Sequence, residues 1–341
     1  MLVGLLLIII VIMNSDMPSY ERINYMLRPN KSVERKMVCE MLSRISAVRN
    51  VSMYQYIGFG STYFADFSLF HRNLGITQMI SIEGEGRAKN RCEFNKPFAC
   101  IDLRMGESSD ILPNLDFNTK DSIVWLDYDG IISDTVFSDI NTVVTAIRPD
   151  SFFMLSLNAE FILLKQEAES DIKQYLIDMI GEERFPNQFL DNEITSKIYL
   201  NILYHCIIEE IRTVVQKRNG MEDYELTFHQ VVYFVYKDGA RMMTIGGFLF
   251  KKDEENERMD KMAIHQLPYY RNSMEPFNIK CPVLSLKEIQ ALNSFLPREI
   301  IMDKKGEIKD EDLNNFPVEN KDIKQYSFLY RYYPNFAETL L

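Results

Sequence analysis

The residues best suited to chemistry stand in the stretch WLDYDG, where Asp127 and Asp129 lie two positions apart at the end of an apolar run and Gly130 follows. Extended residues two apart face the same way, so the two carboxylates can converge. Carboxylates that approach one another need a proton, a cation or a hydrogen-bonding substrate between them. Either could orient or deprotonate an acceptor group. With the Asn158 amide of LSLNAEF they make an oxygen set of the kind Mg²⁺ or Ca²⁺ accepts. The plainer alternative makes Asp129-Gly130 an ordinary turn and Asn158 a helix cap.

A second group of residues suits ligand binding. In MYQYIGFGSTYFADF, Gly58 and Gly60 flank Phe59 where an apolar run gives way to an aromatic, helix-like segment. A glycine at the end of a buried strand permits a tight turn, and a second lets backbone approach a ligand. Ser61 then stands where a helix N-cap is expected, with Tyr56 two positions before the first glycine. Downstream, MISIEGEG ends a further apolar run at Glu83-Gly84, and a carboxylate there can accept hydrogen bonds from both hydroxyls of a ribose.

These residues need elements to position them. The runs MYQYIGF, QMISIE, FACIDL, SIVWLD and SFFMLSL read as short strands, and FADFSLFHRNL and TVFSDINTVVTAI as crossover helices between them. The alternation predicts an α/β fold whose doubly wound, mostly parallel sheet carries its ligand cleft at the carboxyl ends of the strands. LTFHQVVYFVY and ARMMTIGGFLF, joined through Asp238-Gly239, predict a closing antiparallel hairpin. The expected organisation is an apolar run at 1–16, an N-terminal helical cover at 17–50 and a central domain at 51–252. A helical insertion at 161–220 lies within that domain, and a C-terminal appendage at 253–341 follows it.

Composition narrows the partners. A net charge of −11 over 341 residues argues against coating nucleic acid by bulk electrostatics. Five scattered cysteines suggest neither a disulfide framework nor a zinc knuckle, which favours a reducing, cytoplasmic setting. The apolar run at the start is too short to span a bilayer and lacks the charged start of a secretory signal, so it implies weak membrane association at most, or a translation start further on. His71, His205, His229 and His265 share no spacing, and Phe64, Phe67 and Phe70 recur as core residues do. In NYMLRPNKSVERKM, Arg28, Lys31, Arg35 and Lys36 form a basic patch with Tyr25, read either as a contact to an anionic substrate or as a solvated helix face.

The glycine turn GFGS, the acidic strand end at Glu83 and the closing hairpin resemble the class I S-adenosylmethionine-dependent methyltransferase superfamily over roughly residues 51 to 252. The resemblance implies that Gly58, Phe59, Gly60 and Ser61 cradle the cofactor's amino acid part and that Glu83-Gly84 binds its ribose. Gly106 and Glu107 of RMGESSDILPNL would face the adenine, with WLDYDG near the transferred methyl. WLDYDG is also similar to the D-x-D segment of metal-dependent O-methyltransferases. Many members carry an acid where this chain has Tyr56.

The activity so implied is methyl transfer from S-adenosylmethionine to an oxygen or nitrogen nucleophile, with the acceptor a small molecule, protein or nucleic acid. The 161–220 insertion and the aromatic C-terminal segment would cover the substrate. Two other readings stand beside it. One is an inactive domain of this fold serving as a partner in a complex, which Tyr56 favours. The other is a nicotinamide dehydrogenase, which expects a third glycine where Tyr63 stands.

Overall fold

The computed structural model describes residues 28–168, 171–309, 313 and 316–334. The apolar run at 1–16 and Tyr25 lie outside the described residues. Five parallel strands open the sheet: β1 (Gln55–Gly58), β2 (Gln78–Glu83), β3 (Ile101–Met105), β4 (Ser122–Asp127) and β5 (Phe152–Asn158). The hairpin β6 (Leu226–Lys237) and β7 (Arg241–Lys251) and a short β8 (Phe277–Ile279) complete it in the order β3-β2-β1-β4-β5-β7-β6-β8. Strand β7 runs antiparallel to β6, as the Asp-Gly turn requires, and also to β5, whereas β8 pairs parallel to β6 at an edge that the sequence did not signal.

Helices cover both faces because the central strands are apolar on both. Leu126 of β4 and Phe153 of β5 face α5 (Asp134–Ala146) and the long α8 (Ser196–Asn219), whose Val136, Ile140, Ile207 and Ile211 share one core with them. Trp125 and Met154, their alternate neighbours, face α1 (Pro29–Ser43) and α2 (Ala65–Leu74) through Val33, Met37, Phe67 and Phe70. Between β2 and β4 run α3 (Lys89–Asn95) and the one-turn α4 (Ser108–Ile111). Two short helices, α6 (Phe161–Glu167) and α7 (Ile172–Ile180), precede α8. The expected cover at 161–220 is therefore largely a layer of the fold: α8 packs on α5 and β6.

The hairpin also fixes α1. Asp238 at its tip accepts the backbone N–H groups of Asn30 (3.2 Å) and Lys31 (2.8 Å), and the Asn30 side-chain amide donates to it at 2.8 Å. These are donors of the first turn, which the helix cannot satisfy itself and a carboxylate satisfies best. After α9 (Glu255–Met262), the chain builds a third, smaller core from α10 (Leu286–Phe295) and α11 (Asn320–Leu329) around Leu292, Ile300, Ile323 and Tyr326. Ser285 and Glu288 form a capping box at the start of α10. Among the described residues no helix is long and apolar enough to cross a membrane.

Candidate active site

The carboxyl ends of β1 to β4 enclose a cleft of about 460 Å³, a size ordinary for a small-molecule site. Gly60 and Ser61 reach it from β1, Glu83 and Gly84 from β2, Gly106 and Glu107 from β3, and Asp127 to Gly130 from β4. The sequence placed these residues on four separate motifs. The parallel sheet brings them together because every crossover returns the chain to the same edge.

The turn after β1 differs from the expected form. Ser61 does not cap α2; the helix begins at Ala65, after Ser61 and Phe64 have both taken positive φ (53° and 47°). Gly58 lies outside the cleft lining, and its backbone accommodates a neighbour instead: a Cβ there would meet the Tyr56 hydroxyl at 2.6 Å. Gly60 packs as tightly, 2.5 Å from the Ser81 hydroxyl for an added Cβ, and donates its N–H to that oxygen at 3.1 Å. Tyr56 itself is fully buried and does not reach the cleft. Its hydroxyl donates to Asp66, in the first turn of α2, and Asp66 does line the cleft. A carboxylate is thus present beside the glycine turn, carried by a helix rather than by the strand.

Burial raises the carboxyl pKa at Asp66 above its ordinary value, with Arg35 and the Tyr56 hydrogen bond opposing the shift. Glu83 is also raised, first by burial and further by the neighbouring carboxylates of Glu85, Asp129 and Glu107. The Glu85 N–H opposes that shift by donating to Glu83 at 3.1 Å. Gly106 sits at φ 143°, which favours glycine, and donates its N–H to the Glu83 carbonyl at 3.0 Å, tying the ends of β2 and β3 together.

Asp127 is handled in the opposite way. Its burial opposes ionisation, but the Lys31 ammonium at 2.8 Å, with Arg35 and Arg28 beyond it, outweighs that cost and holds the carboxyl below its ordinary value. Lys31 is 1% exposed, pairs also with Glu34 at 2.8 Å and lies 4.6 Å from the Trp125 ring centroid. Glu34 in turn accepts from Thr244, which meets Ser156 at 2.7 Å; Ser156 accepts the Trp125 indole N–H at 2.9 Å. This buried chain rigidly mounts Asp127 from below.

Two expectations need correction here. Lys31 does not offer its charge to an anionic substrate, because Glu34 and Asp127 already neutralise it inside the protein; of Arg28, Lys31, Arg35 and Lys36, Arg35 alone lines the cleft. Nor does Asn158 join Asp127 and Asp129 as a metal ligand. Its Oδ1 accepts the Glu160 N–H at 2.9 Å in a turn, and its Nδ2 points to the Asp129 carbonyl at 3.5 Å. The cation against Asp127 is an ammonium, and among the described residues no group of three His, Cys, Asp or Glu could hold a metal.

Sequence reasoning missed Asp66, Tyr128 and Ser108. Tyr128 and Ser108 both donate to the buried Asp139 of α5, Tyr128 at 2.7 Å, and Tyr128 meets Phe59 edge-on at 5.2 Å across the cleft. An aspartate at the helical spacing of Val136, Ile140 and Val143 in TVFSDINTVV is the signal that would have pointed to Asp139.

The donor set fits S-adenosylmethionine. Glu83 suits a ribose, Phe59 and Tyr128 offer apolar walls, and the Ser61 hydroxyl is buried against the cleft without a hydrogen-bond partner among the described residues. No curated protein sequence matches the chain. Among solved structures it is similar to an O-methyltransferase from Bacillus cereus in complex with SAH, at 11% identity over 70% of this chain and 88% of that one, TM-score 0.37. It is also similar to Trm1 from Pyrococcus horikoshii with S-adenosyl-L-methionine, at 9% identity over 68% and 58%, TM-score 0.44. A family model described as "Putative O-methyltransferase" matches residues 23–341, nearly the whole chain, and the protein belongs to that family.

Proposed function

We propose that the protein moves a methyl group from S-adenosylmethionine to an oxygen nucleophile, a nitrogen being the alternative acceptor atom. The observation that carries this reading is the single cleft into which β1 to β4 deliver Ser61, Glu83, Glu107 and Asp127 together. Bound there, S-adenosylmethionine supplies an electrophilic methyl on its sulfonium sulfur.

The chain's own part is positional. Glu83 accepts from the ribose hydroxyls, and the Gly60-Ser61 turn receives the amino acid end. Asp127, kept ionised and fixed by Lys31, accepts a hydrogen bond from the acceptor and aims its lone pair at the methyl. Asp129, the second cleft carboxylate of WLDYDG and not tied to Lys31, takes the acceptor's proton. The acceptor–methyl bond forms as the carbon–sulfur bond breaks, and the sulfur keeps that electron pair.

Calorimetric titration of the protein with S-adenosylmethionine, S-adenosylhomocysteine and NAD tests the reading. Binding of the first two and not the third is expected. Glu83→Gln should weaken both by about 10- to 100-fold, the worth of hydrogen bonds to an ionised group. Selective NAD binding, or none at all, would defeat it.

A further inference from the structure

Six carboxylates line the cleft: Asp66, Glu83, Glu85, Glu107, Asp127 and Asp129. Among the described lining residues Arg35 is the single base. It comes from α1, which packs on α2 and so leans over the turn after β1. Arg35 is 9% exposed, yet among the described residues it makes no hydrogen bond and no ion pair within 4.0 Å. Its charge is nevertheless felt by both Asp66 and Asp127. Its guanidinium nitrogens are not sealed in the interior but open into the cleft, where a ligand's anionic group can complete them.

A methyl donor with an amino acid tail brings one carboxylate and one ammonium on the same carbon. The acidic walls repel the first and attract the second, so an ion of each sign is needed side by side near the glycine turn. Arg35 and Asp66 are that pair. We infer that Arg35 anchors the α-carboxylate of the cofactor through its planar fork and that Asp66, steadied by Tyr56, holds the α-ammonium. The inference rests on the methyl-donor reading above. It gives the N-terminal helix a defined role: α1 completes the cofactor site instead of presenting a basic face to substrate.

Three ligands separate the parts. S-adenosylhomocysteine carries the full tail, its decarboxylated analogue lacks only the carboxylate, and methylthioadenosine lacks the amino acid altogether. In the unaltered protein, removing the carboxylate should weaken binding by about 10- to 100-fold, as loss of a charge-assisted bidentate contact does. Arg35→Gln should weaken S-adenosylhomocysteine by the same factor, leave methylthioadenosine within about twofold and abolish discrimination against the decarboxylated analogue. Arg35→Lys should recover part of the loss, because it restores the charge without the fork. Equal affinity of the unaltered protein for the carboxylated and decarboxylated ligands would overturn the inference without any variant. So would an Arg35→Gln protein that loses methylthioadenosine as much as S-adenosylhomocysteine. If none of the three binds the unaltered protein, the methyl-donor reading itself fails.

Discussion

The two ends of the central sheet treat charge differently. At the amino ends of β1, β4 and β5, Asp150 holds Arg49 at 2.7 Å and Arg258 at 3.1 Å, while Asp121 draws Arg49 and Arg148 to 3.6 and 3.5 Å. Acids and bases there satisfy one another. At the carboxyl ends six acids face the cleft against one lining base, and burial pushes Asp66 and Glu83 toward protonation. The first end is arranged for stability. The second keeps groups in costly states that only a ligand relieves, which is what a binding site of this fold requires.

The sharpest way to break this contrast is at Lys31, a structural ion placed at the functional end. Lys31→Met should cost about 3–5 kcal/mol, because it strands Glu34 and Asp127 in the interior, and thermal unfolding would show it. A small change in midpoint would mean that the buried chain is not what mounts Asp127. At the opposite end, Asp150→Asn should cost about 1–3 kcal/mol, discounted because the Arg49 partner is 41% exposed, and should leave S-adenosylhomocysteine affinity unchanged.

Titration sharpens the comparison within the cleft. The folded pKa of Glu83 is raised, so its contribution to stability falls as pH rises from the unfolded to the folded value, and at neutral pH its burial is a cost. For Asp127 the sign reverses: its folded pKa is lowered, so the stability it contributes is present above the unfolded value and lost as pH falls through the folded one. Unfolding midpoints across pH should therefore show Glu83→Gln gaining stability at neutral pH and Asp127→Asn losing it. Ligand affinity of the unaltered protein should weaken on acidification while a free glutamate is still ionised, and the Glu83→Gln protein should lack that dependence. The smallest effect is expected at Gly130, where an added Cβ meets nothing within 4 Å. Gly130→Ala should alter stability by less than about 0.5 kcal/mol, and, because Gly130 lines the cleft, the added methyl is expected to weaken ligand binding in the same titration.

Much of the fold was legible because its signals are local. SIVWLD is β4 to the residue, and the Asp-Gly pair does close the β6–β7 hairpin. Glycine turn, acidic strand end and WLDYDG all reach one cleft, since strands and crossovers of this length leave few other topologies. What stayed hidden was contact between distant segments. Nothing near Asp238 says that it caps α1, nothing in VERKM says that Lys31 turns inward to Asp127, and Tyr56 in sequence reads only as a missing acid.

Local signals along the chain suffice for the succession of β1 to β7, the cleft's edge and most of the acids that line it, because periodicity, glycine and chain reversal act over a few residues. The tertiary structure decided which charges are spent on the protein and which are left for a ligand. That division depends on burial and on distances of a few ångströms between residues that stand 208 positions apart, as Asn30 and Asp238 do, or more, and a pattern along one chain does not carry such distances.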